Sequence, residues 1–342
     1  GYKSIMVNCN PETVSTDFDL ADRLYFEPIT FEDIMNIIEF EKPDGVLVQF
    51  GGQTPLKIAE QLTNEGVKIF GTSSASIDLA ENREAFASII KKLKIQIPEY
   101  CIAKNYEEII NFSEIAQFPV LVRPSYVLGG RAMQIVYNKE QLVDYVFRSA
   151  EATNDHPILI DQFIENAFEF DVDALSDGEE VFVAGIMQHI EEAGVHSGDS
   201  SCVLPPYDMS SKVKKDIIDM TTKLALELNV VGLINLQFAV KDNEVYVLEV
   251  NPRSSRTVPF VSKYSNVPLA NIAAQLSVGR KISDFNLNEN RFKHTAVKKA
   301  VLPFKKFKDE KVFLGPEMKS TGEVMGIDTE PGIAFLKAMQ SD

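Results

Sequence analysis

Between Val231 and Arg253 two apolar stretches, Val231–Val240 and Val245–Val250, are separated by Lys-Asp-Asn-Glu. Runs of this length around an Asp-Asn turn make a β-hairpin, and their composition places it inside a core. Three polar residues, Gln237, Glu249 and Asn251, interrupt the apolar pattern. A carboxylate in such a strand is costly unless a cation, a metal or hydrogen-bond donors meet it. Positions 237 and 249 are symmetric about residue 243. A three-residue loop with Lys241 opposite Val245 therefore sets Ala239 against Val247 and Gln237 against Glu249. Asn251 then shares their face. Oxygen donors of this kind suit Mg²⁺ or Mn²⁺ bridging nucleotide phosphates. Arg253 and Arg256 follow at once, where they would neutralise a transferring phosphoryl group. The plain alternative is a structural Glu–Arg pair at a strand end.

The rest of the chain is long enough to bury such a hairpin. It has 342 residues, 45% apolar and 25% charged, which fits two or three domains and excludes wholesale disorder. With 34 basic and 50 acidic residues the net charge is −16, so neither nucleic acid nor an anionic membrane is the expected partner. A few arginines in one cleft could still dominate a local field. Cys9, Cys101 and Cys202 form neither a disulfide framework nor a CxxC knuckle, which points to a reducing, cytosol-like compartment. No apolar run approaches a membrane span.

The first 80 residues alternate strand and helix signals. Strands are expected at Ile5–Val7, Arg23–Phe26, Val46–Phe50 and Val67–Phe70, with helices starting at Phe31 under a Thr30 cap and running from Pro55 to Asn64. That βαβ series implies one parallel sheet. A sheet that opens so abruptly would normally have a strand and helix before it. The expectation is therefore a truncated sheet with exposed edges, marginal stability or self-association. One helix is expected over 78–95 and another over Val213–Leu228 with Ser210 or Ser211 as cap. From about 118 to 250 strands dominate, and the tail ends in a helix over Ala334–Gln340.

Two further segments carry chemistry. In Pro119–Val136 a strand, a loop and a second strand hold Gly129-Gly130 between Arg123 and Arg131. Glycines let backbone N–H groups approach oxyanions and arginines bind phosphate, although for this segment alone a Gly-turn hairpin with solvated arginines is the favoured reading. The 124–131 loop is expected to be mobile without nucleotide and ordered with it. In Gly185–Ser200, His189 and His196 lack a zinc-ligand spacing, while Gly194 and Gly198 suit a loop that contacts a ligand. Cys202 reads as a buried apolar residue.

Five stretches together carry a specific resemblance: Met6-Val-Asn-Cys-Asn-Pro-Glu-Thr-Val-Ser-Thr-Asp17, Gln49-Phe-Gly-Gly-Gln-Thr-Pro55, Arg123-Pro-Ser-Tyr-Val-Leu-Gly-Gly-Arg131, Gly194-Val-His-Ser-Gly-Asp-Ser200 and Glu249-Val-Asn-Pro-Arg253. Across nearly its whole length the chain resembles the large subunit of carbamoyl phosphate synthetase, an ATP-grasp enzyme with two homologous ATP-using halves. Tyr126–Arg131 and Val195-His196-Ser197 look like the second half, which makes carbamoyl phosphate.

The resemblance implies an α/β and α+β fold. A truncated Rossmann-like pre-ATP-grasp subdomain (1–80) precedes a linker helix and ATP-grasp lid (81–160) and an antiparallel-sheet catalytic subdomain (161–342). It implies that ATP phosphorylates carbamate, feeding pyrimidine and arginine synthesis. By motif position, Arg123, Gly129, Gly130, Arg131, Glu169, Gly194, Val195, His196 and Ser197 would line the ATP pocket, with Glu169 on the ribose. Asp161, Gln162 and Ile164 would form the adenine-side linker through backbone groups. Gln237, Glu249 and Asn251 would hold Mg²⁺ or Mn²⁺ beside the nucleotide, and Asn251, Arg253 and Arg256 would face the reacting groups. Potassium is a family trait whose ligands the sequence does not place. The implied partners are the rest of the large subunit and a glutaminase subunit or domain. The implied location is the cytoplasm, or the mitochondrial matrix for an ammonia-dependent eukaryotic form. The family's subunit is about three times as long. The rivals are another ATP-grasp carboxylate ligase of the biotin carboxylase type and a nucleotide-binding piece inactive in isolation.

Overall fold

The computed structural model describes residues 1–124, 133–153, 157–287, 293–303 and 314–340. In the first unit β1 (Ile5–Val7) pairs in parallel with β2 (Arg23–Tyr25), and β3 (Val46–Leu47) pairs in parallel with β4 (Ile69–Phe70). The helix Phe31–Glu41 starts where expected, with Thr30 Oγ1 accepting the Asp33 N–H at 3.3 Å. The expected strand through Phe50 ends at Leu47. Beyond it Gln49 makes side-chain hydrogen bonds to Thr72 and to the Pro252 carbonyl, and Gly52 turns the chain at φ 69°. The helix expected from Pro55 begins at Gln53 and breaks into Gln53–Leu56 and Ala59–Asn64. Among the described residues the parallel strands form two separate two-stranded sheets rather than one. Phe18 and Phe40 on this unit are exposed.

The helix expected over 78–95 is two helices, Ser74–Glu81 and Arg83–Leu93. Asn82 leaves the helical backbone between them and caps the second, its side chain accepting from the Glu84 and Ala85 N–H groups at 3.1 Å. A four-stranded sheet then follows, formed by β5 (Tyr100–Ala103), β6 (Val120–Pro124), β7 (Gln134–Val136) and β8 (Ile158–Gln162), antiparallel in the order β5-β8-β6-β7. Helices Tyr106–Ile115 and Lys139–Thr153 cover it. Neither was expected: the second carries only a narrow stripe, Leu142, Tyr145 and Val146, among polar residues.

The third unit is a seven-stranded antiparallel sheet. Its strands are β9 (Phe168–Asp177), β10 (Val181–His189), β11 (Cys202–Leu204), β12 (Val231–Lys241), β13 (Glu244–Asn251), β14 (Thr295–Val301) and β15 (Gly322–Asp328), ordered β13-β12-β9-β10-β11-β14-β15. One face packs Phe170, Val172, Leu236 and Phe238 against helix Ser211–Glu227, which Ser210 caps, and against Arg83–Leu93. The opposite face is divided. Leu175, Met187, Leu233 and Ala296 lie under helices Val258–Ser265 and Leu269–Ser277, while farther along the same strands the side chains turn polar. No helix among the described residues is long and apolar enough to cross a membrane.

The hairpin reaches the expected pairing by a different route. Gln237 does lie opposite Glu249, but the loop has two residues, with Lys241 opposite Glu244. Asp242 and Asn243 both take positive φ, 51° and 62°, which gives the tight turn matched to strand twist. Ala239 therefore pairs with Tyr246, and the one-residue offset is removed by a β-bulge between Phe238 and Gln237. The bulge also swaps faces. Val245 and Val247 enter the apolar cluster beneath helix Ser211–Glu227, and strict alternation would send Glu249 after them. Instead Val250 takes that place, and Glu249 and Asn251 face the polar side. Inserting one alanine after Leu248 should carry Glu249 to the place of Val250, inside the apolar cluster, at a cost of about 3–5 kcal/mol. Leu248→Ala keeps the bulge and should cost about 1 kcal/mol. Equal urea midpoints for the two variants would contradict this account of the register.

Candidate nucleotide and metal site

The polar half of the sheet gathers most of the residues singled out from sequence. Glu249 and Gln237 are cross-strand neighbours, and Asp171 follows Gln237 on the next strand. Asn251 Nδ2 donates to Glu249 Oε1 at 3.0 Å, and Arg253 Nη2 donates to Asn251 Oδ1 at 3.1 Å. Gln237 Nε2 donates to Ser197 Oγ at 2.8 Å, which joins the 194–200 loop to the hairpin. That loop is fixed at three further points. The Gly194 N–H donates to Glu169 Oε1 at 3.1 Å, the His196 N–H to the Gly315 carbonyl at 2.8 Å, and the Gly198 N–H to His196 Nδ1 at 3.0 Å. Val195 lies half-buried between the first two.

Arg123, on β6, stands 3.7 Å from Asp161, which also pairs with Arg83. Gln162 and Ile164 continue from Asp161 beside a half-open cavity of about 260 Å³, lined also by Pro119, Phe163, Lys241 and Tyr246. The Gln162 N–H is used by the Glu99 carbonyl at 2.7 Å. Arg256 is directed elsewhere: its Nη1 donates to Ser320 Oγ at 3.3 Å, beside Met318 Sδ. Gly129, Gly130 and Arg131, with the expected mobile loop, lie outside the described residues.

The electrostatics favour an oxyanion. Burial lowers the pKa of the Arg83, Arg123 and Arg253 guanidiniums, Arg83 to about 10 with Arg123 adding to the shift, while Glu249 opposes it in all three. Among the described residues the Nε atoms of Arg123 and Arg253 are buried without a hydrogen-bond partner. Buried unsatisfied donors on cations are what phosphate oxygens complete. The side-chain oxygens of Gln237, Glu249 and Asn251 form a hard donor set of the kind Mg²⁺ or Mn²⁺ takes, so these residues fit a divalent ion.

Beneath this site runs a buried charged row that sequence reading did not assemble. His189 Nε2 lies 2.8 Å from Asp171 Oδ2, and His189 Nδ1 lies 3.3 Å from Glu169 Oε2. Burial opposes a charge on His189, but Cys202, Asp171 and Glu169 beside it raise its pKa well above the usual value. Burial lowers the pKa of His196. Lys298, almost fully buried, donates to the Ser197 carbonyl at 3.1 Å and pairs with Glu323 at 3.6 Å. Its signal was present, a lysine inside the apolar run Thr295–Val301, comparable to Glu249 in its own strand. Arg83, at the start of a helix, gave no such signal.

Residues 1–79 match the carbamoyl phosphate synthase preATP-grasp domain, and residues 82–285 match the carbamoyl-phosphate synthase L chain, ATP binding domain. The chain belongs to the carbamoyl phosphate synthase large-chain family. It is 61% identical over 339 residues to the carbamoyl phosphate synthase large chain of Archaeoglobus fulgidus, covering 99% of this chain and 32% of that one. It is 52% identical over 360 residues to the carbamoyl phosphate synthase large chain, C-terminal section, of Aquifex aeolicus, covering 100% of this chain and 67% of that one. The chain thus spans about a third of the length of most curated relatives it matches. Two solved structures share the fold at a TM-score of 0.74. One is the Hydrogenobacter thermophilus 2-oxoglutarate carboxylase biotin carboxylase domain with MgADP and bicarbonate, 16% identical and covering 94% of this chain and 80% of that one. The other is the ADP complex of N5-carboxyaminoimidazole ribonucleotide synthetase, 15% identical and covering 99% and 90%. The pre-ATP-grasp and ATP-grasp architecture expected for the large-chain family is therefore present.

One buried acid in the row titrates within reach of experiment. Burial, with Asp171 acting in the same direction, raises the Asp173 carboxyl to about 6 against hydrogen bonds from Thr257, Ser255 and Asn235. A folded pKa above the ordinary 3.8 means that folding favours the protonated form. That contribution is complete below about 3.8 and is lost as pH rises through about 6. Asp173→Asn does not titrate. The wild-type urea midpoint relative to this variant should fall between pH of about 4 and about 6.5 and then level off. A difference that grows with pH would refute the shift.

Proposed function

We propose that this chain carries the ATP-using half of a carbamoyl phosphate synthase large chain that phosphorylates carbamate. The observation that carries the reading is the convergence of Gln237, Glu249, Asn251 and Arg253 on one face, tied by Gln237 to Ser197. The assignment to the second half rests on Val195-His196-Ser197 and on the full-length match to a relative named as a C-terminal section. Under this reading the division at about residues 80 and 160 separates the pre-ATP-grasp unit, the lid and the catalytic sheet. Arg123 binds nucleotide phosphate through its unsatisfied Nε, with Arg131 and the glycines Gly129 and Gly130 assigned to the same task. Glu169 takes the ribose hydroxyls, and Asp161, Gln162 and Ile164 border the adenine. Gly194, Val195, His196 and Ser197 close the pocket. Gln237, Glu249 and Asn251 would hold a divalent ion, which would supply neutralisation of phosphate charge. Arg253 meets the negative charge that builds on the transferring group, and Arg256 takes up its role by leaving Ser320. The cytoplasm, a potassium requirement and a glutaminase partner belong to the same proposal.

A second reading, a nucleotide-binding segment that needs the remaining chain for turnover, is favoured by the span of about a third of its relatives. The two separate in one experiment. The 342-residue chain is given MgADP and carbamoyl phosphate, and ATP formation is followed alongside MgADP binding by calorimetry. The proposal expects ATP, with a loss of about 10²–10³-fold in Glu249→Gln and in Arg253→Met and no change of fold by circular dichroism. Binding without turnover supports the second reading. Absence of both removes the nucleotide assignment.

A further inference from the structure

Both arginines assigned to the reacting groups sit on an irregular segment, residues 252–257, between the end of β13 and helix Val258–Ser265. Nothing in regular secondary structure holds such a segment to the precision that phosphoryl transfer requires. Two buried side chains hold it from opposite sides. From the first unit, Gln49 Nε2 donates to the Pro252 carbonyl at 2.7 Å and the Gln49 carbonyl accepts the Ser254 N–H at 2.9 Å. Gln49 is itself fixed by Thr72, whose Oγ1 accepts from Gln49 Nε2 at 2.9 Å and whose N–H donates to Gln49 Oε1 at 3.1 Å.

From the sheet, Asp173 holds the other end of the segment. Its Oδ1 accepts from Ser255 Oγ at 2.7 Å and Asn235 Nδ2 at 3.0 Å, and its Oδ2 accepts from Thr257 Oγ1 at 2.6 Å. Ser255 Oγ also accepts the Thr257 N–H at 3.2 Å, which closes the turn. Asp173 lies on β9, an interior strand flanked by β12 and β10, and has no exposed surface. No cation pairs with it among the described residues, and its neighbour on the same face is another acid, Asp171. A buried carboxylate held by hydroxyls and an amide costs stability that an apolar residue would not. Such a group persists where its geometry is needed. Because both oxygens are already used, it is unsuited to act as a proton carrier.

We propose that Asp173 is a positioning residue for phosphoryl transfer: through Ser255 and Thr257 it fixes the segment that presents Arg253 and Arg256. The proposal rests on the phosphoryl-transfer reading above, and its test separates the two. Three variants are compared in the 342-residue chain. Asp173→Ala removes the anchor, a double variant with Ser255→Ala and Thr257→Val removes its two loop donors, and Asp173→Asn retains an acceptor to which the hydroxyls can turn. In ATP formation from MgADP and carbamoyl phosphate, Asp173→Ala and the double variant should lose about 10²-fold in kcat with KM for MgADP within about threefold. Asp173→Asn should recover to within about tenfold of wild type. Hydrogen exchange at residues 252–257 should quicken at least about tenfold in the first two variants, with β9 and β12 unchanged.

Wild-type kcat in the double variant, or exchange that rises across the whole sheet, overturns the positioning role. If Asp173→Ala fails to fold, the double variant and Asp173→Asn still decide. If the wild type makes no ATP, the functional reading fails on its own. Exchange at 252–257 then decides whether Asp173 holds the segment, and unchanged exchange there in the double variant overturns the proposal.

Discussion

The cost of leaving a carboxylate inside an apolar sheet organises this molecule, and one inserted residue in β13 determines where that cost is met. Because the bulge reverses the alternation after Val247, Glu249 leaves the face packed on helix Ser211–Glu227 and joins Gln237 and Asn251. Everything assigned to nucleotide chemistry follows from that reversal. Without it the sheet would present a charge to its own core and no donor set to a metal. Bulges beside functional sites re-aim side chains in this way.

The polar half-face holds most of its charges beside a partner of opposite charge or a hydrogen-bond donor. His189 sits between Glu169 and Asp171, Lys298 between the Ser197 carbonyl and Glu323, and Asp173 among three donors. In a low-dielectric setting such networks are rigid when complete and costly when broken. The exceptions are informative. Among the described residues the Nε atoms of Arg123 and Arg253, like His189 Nδ1 and Glu323 Oε1, lack hydrogen-bond partners, and under the proposed reading a phosphorylated ligand would supply them to the two arginines.

The same site ties the units together. Gln49 is in the first unit, yet its hydrogen bonds reach Pro252 and Ser254 in the arginine segment. Thr72 adds hydrogen bonds to both the N–H and the carbonyl of Val231, at the start of β12. Gly71, at φ 88°, has no room for a side chain, since a Cβ there would lie 2.3 Å from Gln49 Oε1. The pre-ATP-grasp unit therefore forms one wall of the place where Arg253 is held.

Sequence alone made the candidate metal-binding set legible, because charged and amide residues inside apolar strands are conspicuous. Gln237, Glu249 and Asn251 were visible for that reason, as was the fold class from its strand-and-helix order and family motifs. It also determined the Thr30 cap and narrowed the other to Ser210 or Ser211, since capping chemistry is local, and the structure chose Ser210. Tertiary structure alone decided the two-residue turn and the compensating bulge, since symmetric positions about residue 243 are equally consistent with a longer loop. It decided the break at Asn82, where a local cap competes with helix continuation, and the split of the expected parallel sheet. It also decided the roles of Gln49, Asp173, Arg83 and Lys298. Their partners lie far away in the chain, at Pro252, Thr257, Asp161 and Ser197, and no local pattern encodes a hydrogen bond between residues that distant.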